Sequence, residues 1–213
     1  MTVKLQWATP DADKQIMYMA RVSNPEGQNS EKTRLLSYCM EEGHVSPFEM
    51  ASVCLEINTT RDIGRQILRH RSFSFQEFSQ RYADAILLGD MVPREVRLQD
   101  EKNRQNSIET KSELHQREWC TDQAEVWSVA GRNYRNALQR GVAKEVARAL
   151  LPEGLTPSRL YMNGTVRSWV HYLKSRLDPS TQKEHRVLAQ QALVILRGVA
   201  PITMAAFFPE EQA

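Results

Sequence analysis

The chain lacks most of the short patterns that announce a common chemistry. Its nine glycines are all far apart, so there is neither a dinucleotide-binding fingerprint nor a P-loop, and any bound phosphate must be held by arginines and helix ends. No His-Glu-x-x-His run and no paired cysteines occur, and His70, placed between two arginines, is a poor metal ligand, so no metal is expected. The three cysteines, Cys39, Cys54 and Cys120, are widely spaced and odd in number, which favours free thiols in a reducing compartment. There is no secretory pattern at Met1 and no apolar run near the ~18 residues of a membrane span. The expectation is a cytoplasmic protein with no membrane partner. Twenty-eight basic against 26 acidic side chains leave only +2, which argues against a polyanion binder of the usual kind. No internal repeat or low-complexity segment occurs, and 213 residues with 41% hydrophobic content suit a single domain over residues 1–213.

What the chain does have is arginine, gathered in one place. Between Arg61 and Tyr82 lie five arginines and a histidine. The first half has helical periodicity, with Ile63, Ile67 and Leu68 on one stripe and Arg61, Arg65 and Arg69 four apart on another face. Like charges at that spacing cost about 0.2–0.5 kcal/mol per pair, and Gly64 inside a helix costs about 1 kcal/mol relative to alanine. Such a helix makes sense if an anion lies along it. The second half reads as extended; a strand over residues 77–81 would put Glu77, Ser79 and Arg81 on one side. A carboxylate, a hydroxyl and a guanidinium on one face suit a ligand with an imide or sugar edge and a phosphate. Two other readings stand beside this one: a solvated basic helix followed by an aromatic-anchored loop, and a single-stranded nucleic-acid module built on arginines interleaved with Phe73, Phe75 and Phe78.

Around this stretch, Val3–Ala8 alternates as a first strand. Pro10 and Asp11 open a helix whose stripe includes Ile16, Met17 and Met19, and a second helix runs from Ser30 to Glu42 and stops at Gly43. After His44-Val-Ser46-Pro-Phe-Glu49, Ala51, Val53, Leu55 and Ile57 alternate with polar residues as a half-buried strand. Val92–Leu98 is a candidate strand and 99–107 a polar loop. One long helix is expected from Lys111 to Gln139, with Trp119, Val126, Trp127, Ala130, Tyr134 and Leu138 along one side; at 1.5 Å per residue it spans roughly 40 Å and should pack partly against another subunit. Short and longer helices follow at Lys144–Leu151, from Thr165, and at Gln182–Val199.

The Arg69-His70-Arg71 triplet, seven residues, then Ser79 resembles the signature of the flavin-dependent thymidylate synthases, and Gln66, Glu77 and Arg81 match that family's extended motif. Supporting matches run from about His44 to Arg176. The resemblance implies an α+β fold, a mixed sheet packed with long helices, assembled as a homotetramer with sites at subunit interfaces and no nucleic-acid partner. It implies reductive methylation of dUMP to dTMP, with 5,10-methylenetetrahydrofolate as carbon donor, FAD as cofactor and NADPH as the source of reducing equivalents. Carried over by position, Gln66, Arg69, Glu77, Phe78, Ser79, Gln80, Arg81, Arg148 and Arg176 match nucleotide-contacting residues. His44, Ser46, Arg69, His70, Arg71, Glu77, Thr165, Arg167 and His171 match flavin-contacting ones. Arg176 matches the group that stabilises N3-deprotonated uracil, and Ser79, with no base placed beside it by the local sequence, is read as a positioning group rather than a nucleophile. This chain departs from the common pattern at Met50, where the family usually has histidine, and at Thr165 and His171, where it usually has asparagine. Arg167 and Arg176 are nine residues apart, which at about 100° per residue sets them on nearly opposite sides of a helix. Each complete site is therefore expected to draw them from different subunits.

Overall fold

Alternation of Val53, Leu55 and Ile57, all essentially inaccessible, marks the strand on which the sheet is built. The computed structural model describes residues 1–209. In chain order these form β1 (Thr2–Ala8), α1 (Ala12–Ala20), α2 (Arg34–Glu41), β2 (Ser52–Thr60), α3 (Arg61–Ile67), β3 (Ser74–Glu77), β4 (Arg97–Gln99), β5 (Ser107–Glu109), α4 (Glu113–Gln139), α5 (Lys144–Ala147), β6 (Pro157–Thr165), α6 (Val166–Arg176), α7 (Lys183–Val199) and α8 (Pro201–Phe207). Short 3-10 turns sit at Ser46–Met50, Ala85–Leu88 and Arg148–Leu150. The main sheet has the order β1-β2-β6-β3, and β4 pairs with β5 in a separate hairpin. All of these pairings are antiparallel, so the mixed sheet expected for the fold is not found among the described residues; neighbouring strands simply alternate in direction, and none needs a parallel crossover.

The central partner, β6, is the strand the sequence reading missed. Ser158, Leu160 and Met162 are buried while Arg159 and Tyr161 are exposed, a clear period of two. Pro157 at its start and Asn163-Gly164 at its end are strand-poor types that hid it, although proline is tolerated as a first strand residue. It pairs with β2 along its whole length, from Ser52 opposite Thr165 to Thr60 opposite Pro157.

Several boundaries moved for identifiable reasons. The strand expected at 77–81 lies instead at Ser74–Glu77, because Phe73 and Phe75 pack on the main core and the chain then turns, with Tyr82 and Ala83 N–H groups donating to Ser79 O at 3.1 and 3.0 Å. Glu77, Ser79 and Arg81 therefore do not share a strand face. α2 begins four residues late because Arg21 holds the carbonyl of Lys32 at 2.7 Å in the preceding segment; it ends as expected before Gly43, whose φ of +68° suits glycine. In α1, Ile16 and Met17 are buried but Met19 faces outward. Of the strand expected at 92–98 only the end pairs, since Val92 N–H donates to Leu155 O and Arg94 N–H to Gln123 Oε1 rather than to a neighbouring strand.

The main core lies between one face of the sheet and α1, α2, α6, α7 and α8, with Trp169, Tyr172, Phe48 and Leu36 at its centre. α8, not expected from the sequence, is tied down by Asp13, whose carboxylate accepts from the N–H groups of Ile202 and Thr203 at 2.7 and 3.1 Å. A second, smaller cluster of Ala85, Tyr134, Ala137, Ala147 and Leu151 fastens α4 to α5. The long helix exists as expected, but its buried side carries Gln123, Gly131, Tyr134 and Ala137, whereas Trp119 and Val126 of the expected stripe are 39% and 52% exposed.

Gly164 is needed where β6 passes Phe73. A Cβ there would stand 2.4 Å from Phe73 Cδ1, and the ring cannot retreat because it lies edge-on to Trp169 at 4.9 Å between centroids. Gly164→Ala should destabilise by about 1–3 kcal/mol in urea unfolding, and Phe73→Leu in the same background should recover part of the loss. An unshifted midpoint in the single variant would contradict this packing.

Candidate active site

α3 delivers Gln66 in its last turn, the following turn delivers Arg69, His70 and Arg71, and α6 carries Arg167, His171 and Arg176. His70 and Arg176 meet directly: Arg176 Nε donates to His70 Nε2 at 2.9 Å. A guanidinium can only donate, so this nitrogen of His70 must accept and its proton sits on Nδ1. Burial first, and the Arg176 charge second, hold the His70 pKa down to about 4, so the ring is neutral at pH 7. Behind it, Tyr172 approaches edge-on at 5.0 Å with a hydroxyl pushed up by burial, and His185 is fully buried with its pKa lowered to about 3 by burial, Arg176 and His70.

On the other side of α3, Glu77 Oε1 accepts from Ser158 Oγ at 2.9 Å and pairs with Arg61 at 3.4 Å. Beyond it, Glu145 draws two cations together: Arg81 Nε lies 3.2 Å from its carboxylate and Arg148 Nε donates to its backbone carbonyl at 3.2 Å. Ser79 Oγ accepts only from the N–H of Arg81, at 3.3 Å, among the described residues. A cleft of about 370 Å³ opens between α3 and the Lys144–Leu150 segment, lined by Arg61, Arg65, Gln80 and Arg148 with Glu145 and Glu153. Gln80 is 3% exposed and its Nε2 has no partner among the described residues. A buried amide donor left open beside guanidinium groups is a place for an acceptor.

The residues expected at the flavin collect mainly at the far end of α6. Thr165 Oγ1 donates to Glu49 Oε2 at 2.7 Å and Arg167 Nη1 donates to Glu49 Oε1 at 2.8 Å, and the Thr165 hydroxyl also caps α6 by accepting from Ser168 N–H. The Thr165 hydrogen bond above all, then Arg167, holds the Glu49 carboxyl below its usual range. With its one hydroxyl proton given to Glu49, Thr165 has only acceptor capacity for a ligand. His44, Ser46, Arg69, Arg71 and His171 are exposed around this end and the turn after α3, and the Arg69 and Arg71 guanidinium groups make no hydrogen bond or ion pair among the described residues. Phe73 and Phe75 are packed on the core instead of standing out as base-stacking platforms, which takes away two of the three rings that motivated a nucleic-acid module and leaves the half-buried Phe78.

Comparisons with known proteins identify the family of the whole chain. A family model described as thymidylate synthase complementing protein matches residues 4–202. The chain is 50% identical over 191 residues to a flavin-dependent thymidylate synthase of Synechocystis, spanning 90% of this chain and 87% of that one. The chain belongs to the flavin-dependent thymidylate synthase family. Its likeness extends to a probable flavin-dependent thymidylate synthase of Paramecium bursaria Chlorella virus 1, 48% identical over 84% of this chain and 82% of that relative. Among solved structures, the UMP/dUMP methylase PolB from Streptomyces cacaoi with 5-Br dUMP bound aligns with a TM-score of 0.85 at 27% identity, covering 97% of this chain and 93% of that one.

Within this flavin-dependent thymidylate synthase scaffold the structure adds residues the motif did not single out. Glu49 stood in the quoted loop, but nothing in its spacing pointed to Thr165 and Arg167, more than a hundred residues away. His185 was hidden because a histidine inside an apolar helix stripe looks like core. Both buried histidines bear on stability. Each has its pKa lowered from 6.5 in the fold, so between about 4 and 6.5 the unfolded chain binds protons that the native chain does not. Stability should fall as pH is lowered through that window, and His185→Asn should flatten the fall between pH 7 and 5 in urea titrations. An unchanged slope would rule out titration of His185 as a source.

Proposed function

We propose that this protein makes thymidylate, joining a one-carbon unit from 5,10-methylenetetrahydrofolate to C5 of dUMP and reducing the product to dTMP, with FAD as cofactor and NADPH as reductant. The observation that carries this reading is Arg176, anchored through Nε on a neutral histidine ring while its Nη groups have no partner among the described residues. A permanent cation held in this way favours N3-deprotonated uracil and so raises the nucleophilicity of C5. No thiol is available to attack the base: Cys39 and Cys54 are buried with their pKa values raised by burial, and Cys120 lies on the exposed side of α4. The cleft beside Arg148, with Arg81 at its edge, suits the nucleotide phosphate; Gln66, Glu77, Phe78 and Gln80 suit its base and sugar, and Ser79 acts as a positioning group. Arg69, Arg71 and Arg167 offer cations for the phosphates of FAD, with His44, Ser46, His70, Thr165 and His171 around them. When bound, FAD supplies the hydride chemistry, and the protein positions and polarises.

The whole chain serves as one catalytic domain, and its assembly is a homotetramer with the sites between subunits. The exposed apolar side of α4, where Leu114, Val126 and Val129 are each about half exposed, supports that packing. The free thiols suit the cytoplasm.

Purified protein should carry a flavin absorption spectrum and oxidise NADPH in a manner that depends on dUMP and methylenetetrahydrofolate; a protein that binds neither flavin nor dUMP would overturn the reading. Arg81→Ala should mainly raise KM for dUMP, because phosphate contacts are equal in ground and transition states, while Arg176→Ala should mainly lower kcat. Equal effects of both on kcat alone would contradict that division.

Arg167 pairs with Glu49 at the start of α6 and Arg176 with His70 at its end, about 14 Å apart along the axis. That separation supports sites that take the two arginines from different subunits. Inactive Arg167→Ala and Arg176→Ala proteins, dissociated and reassembled together, should then regain partial activity. Verified mixed oligomers as inactive as either parent would place both arginines in one site from one chain.

A further inference from the structure

Gln66 is joined to a relay of polar side chains that runs in one direction only. The relay starts at Glu184 in the first turn of α7, a nearly buried carboxylate 2.7 Å from Arg97 and 3.3 Å from Arg94. Burial alone would raise its pKa, but the hydrogen bond from Arg97, a backbone N–H and the Arg94 charge outweigh it, so Glu184 is ionised and can only accept. Gln182 Nε2 donates to Glu184 Oε2 at 3.0 Å, which turns the Gln182 carbonyl toward Gln66. Gln66 Nε2 donates to that carbonyl at 2.8 Å, which in turn directs Gln66 Oε1 toward His185 Nδ1 at 3.3 Å. His185 must therefore carry its proton on Nδ1, and its Nε2 is buried without a partner among the described residues.

We propose that His185 is a positioning residue for the nucleotide, which it never touches: with Gln182 and Glu184 it locks the amide of Gln66 in one of its two orientations. An amide not held at both ends can rotate by 180°, exchanging donor for acceptor at nearly the same shape. Held as it is, Gln66 keeps one N–H and one carbonyl lone pair in fixed places for a ligand. A nucleotide that needs a donor at one position and an acceptor at the other meets the correct pair every time, and the flipped amide would present both wrongly. His185 is fully inaccessible and the neutral form is the one present at pH 7, so its influence reaches the ligand only through Gln66.

The inference rests on the dUMP reading above, and the experiment separates the two. Equilibrium binding of dUMP and steady-state KM values would be measured for the wild-type holoenzyme, His185→Asn, His185→Leu and Gln182→Met. Asparagine places a donor near the position of Nδ1, leucine does not, and methionine at the half-buried position 182 interrupts the relay from the other side without opening the core. The Kd and KM for dUMP should rise about five- to tenfold in His185→Leu and Gln182→Met and stay within about twofold in His185→Asn, the scale of one misplaced hydrogen bond. The KM for methylenetetrahydrofolate should not move. Unchanged dUMP affinity in Gln182→Met, equal weakening by asparagine and leucine at 185, or a parallel rise in the folate KM would overturn the positioning role while leaving the thymidylate reading intact. A wild-type protein that does not bind dUMP would overturn both.

Discussion

The pairing of β2 with β6 is the constraint on which the site depends. α3 starts directly after the last residue of β2, and α6 starts directly after the last residue of β6. Because the two strands are antiparallel and in full register, those starting points lie at opposite ends of the sheet, and the helices run toward each other. Nine residues of strand span about 30 Å; the 11 residues of α6 and the ten from Arg61 to His70 together cover about the same length at 1.5 Å each. The two helical segments therefore finish face to face, and the contact made there is Arg176 on His70.

The same geometry divides the residues expected at the site into two sets. Residues at the C-terminal ends of the helices gather around a neutral histidine, while those at the start of α6 gather around Glu49, which takes Thr165 and Arg167 together. Burial decides the chemistry of the first set. Burial first, and the charge of Arg176 second, keep both rings neutral, and each ring then has one fixed donor and one fixed acceptor. Hydrogen bonding decides the second set, where the Thr165 hydroxyl first and Arg167 after it keep Glu49 ionised.

A further ion cluster supports the first set from below. Arg94 bridges Asp62 at the start of α3 and Glu184 at the start of α7, and Arg97 shares Glu184, so the β4–β5 hairpin region, α3 and α7 are fastened at one point. Such buried charges are costly to strip of partners, and removing any one leaves the others uncompensated. This rigidity at the base of α7 is what gives the Gln182, Gln66 and His185 relay a fixed starting point.

The sequence alone determined the features that depend on near neighbours. The spacing of Arg69, His70, Arg71 and Ser79, the alternation of Val53, Leu55 and Ile57, the stop at Gly43 and the length of α4 were all legible, because turn chemistry and periodicity act over a few residues. The tertiary structure alone decided partnerships between distant segments: that Glu77 takes Ser158 and Arg61 instead of lining a strand with Ser79 and Arg81, that Glu145 draws Arg81 toward Arg148, and that His185 is bound to Gln66. β6 was hidden for a related reason, since a strand opened by proline and closed by Asn-Gly shows its alternation only beside the partners that bury it. Hydrogen-bonding groups of one kind are interchangeable in a sequence; packing selects among them, because only the pair brought within about 3 Å in a dry interior gains the interaction.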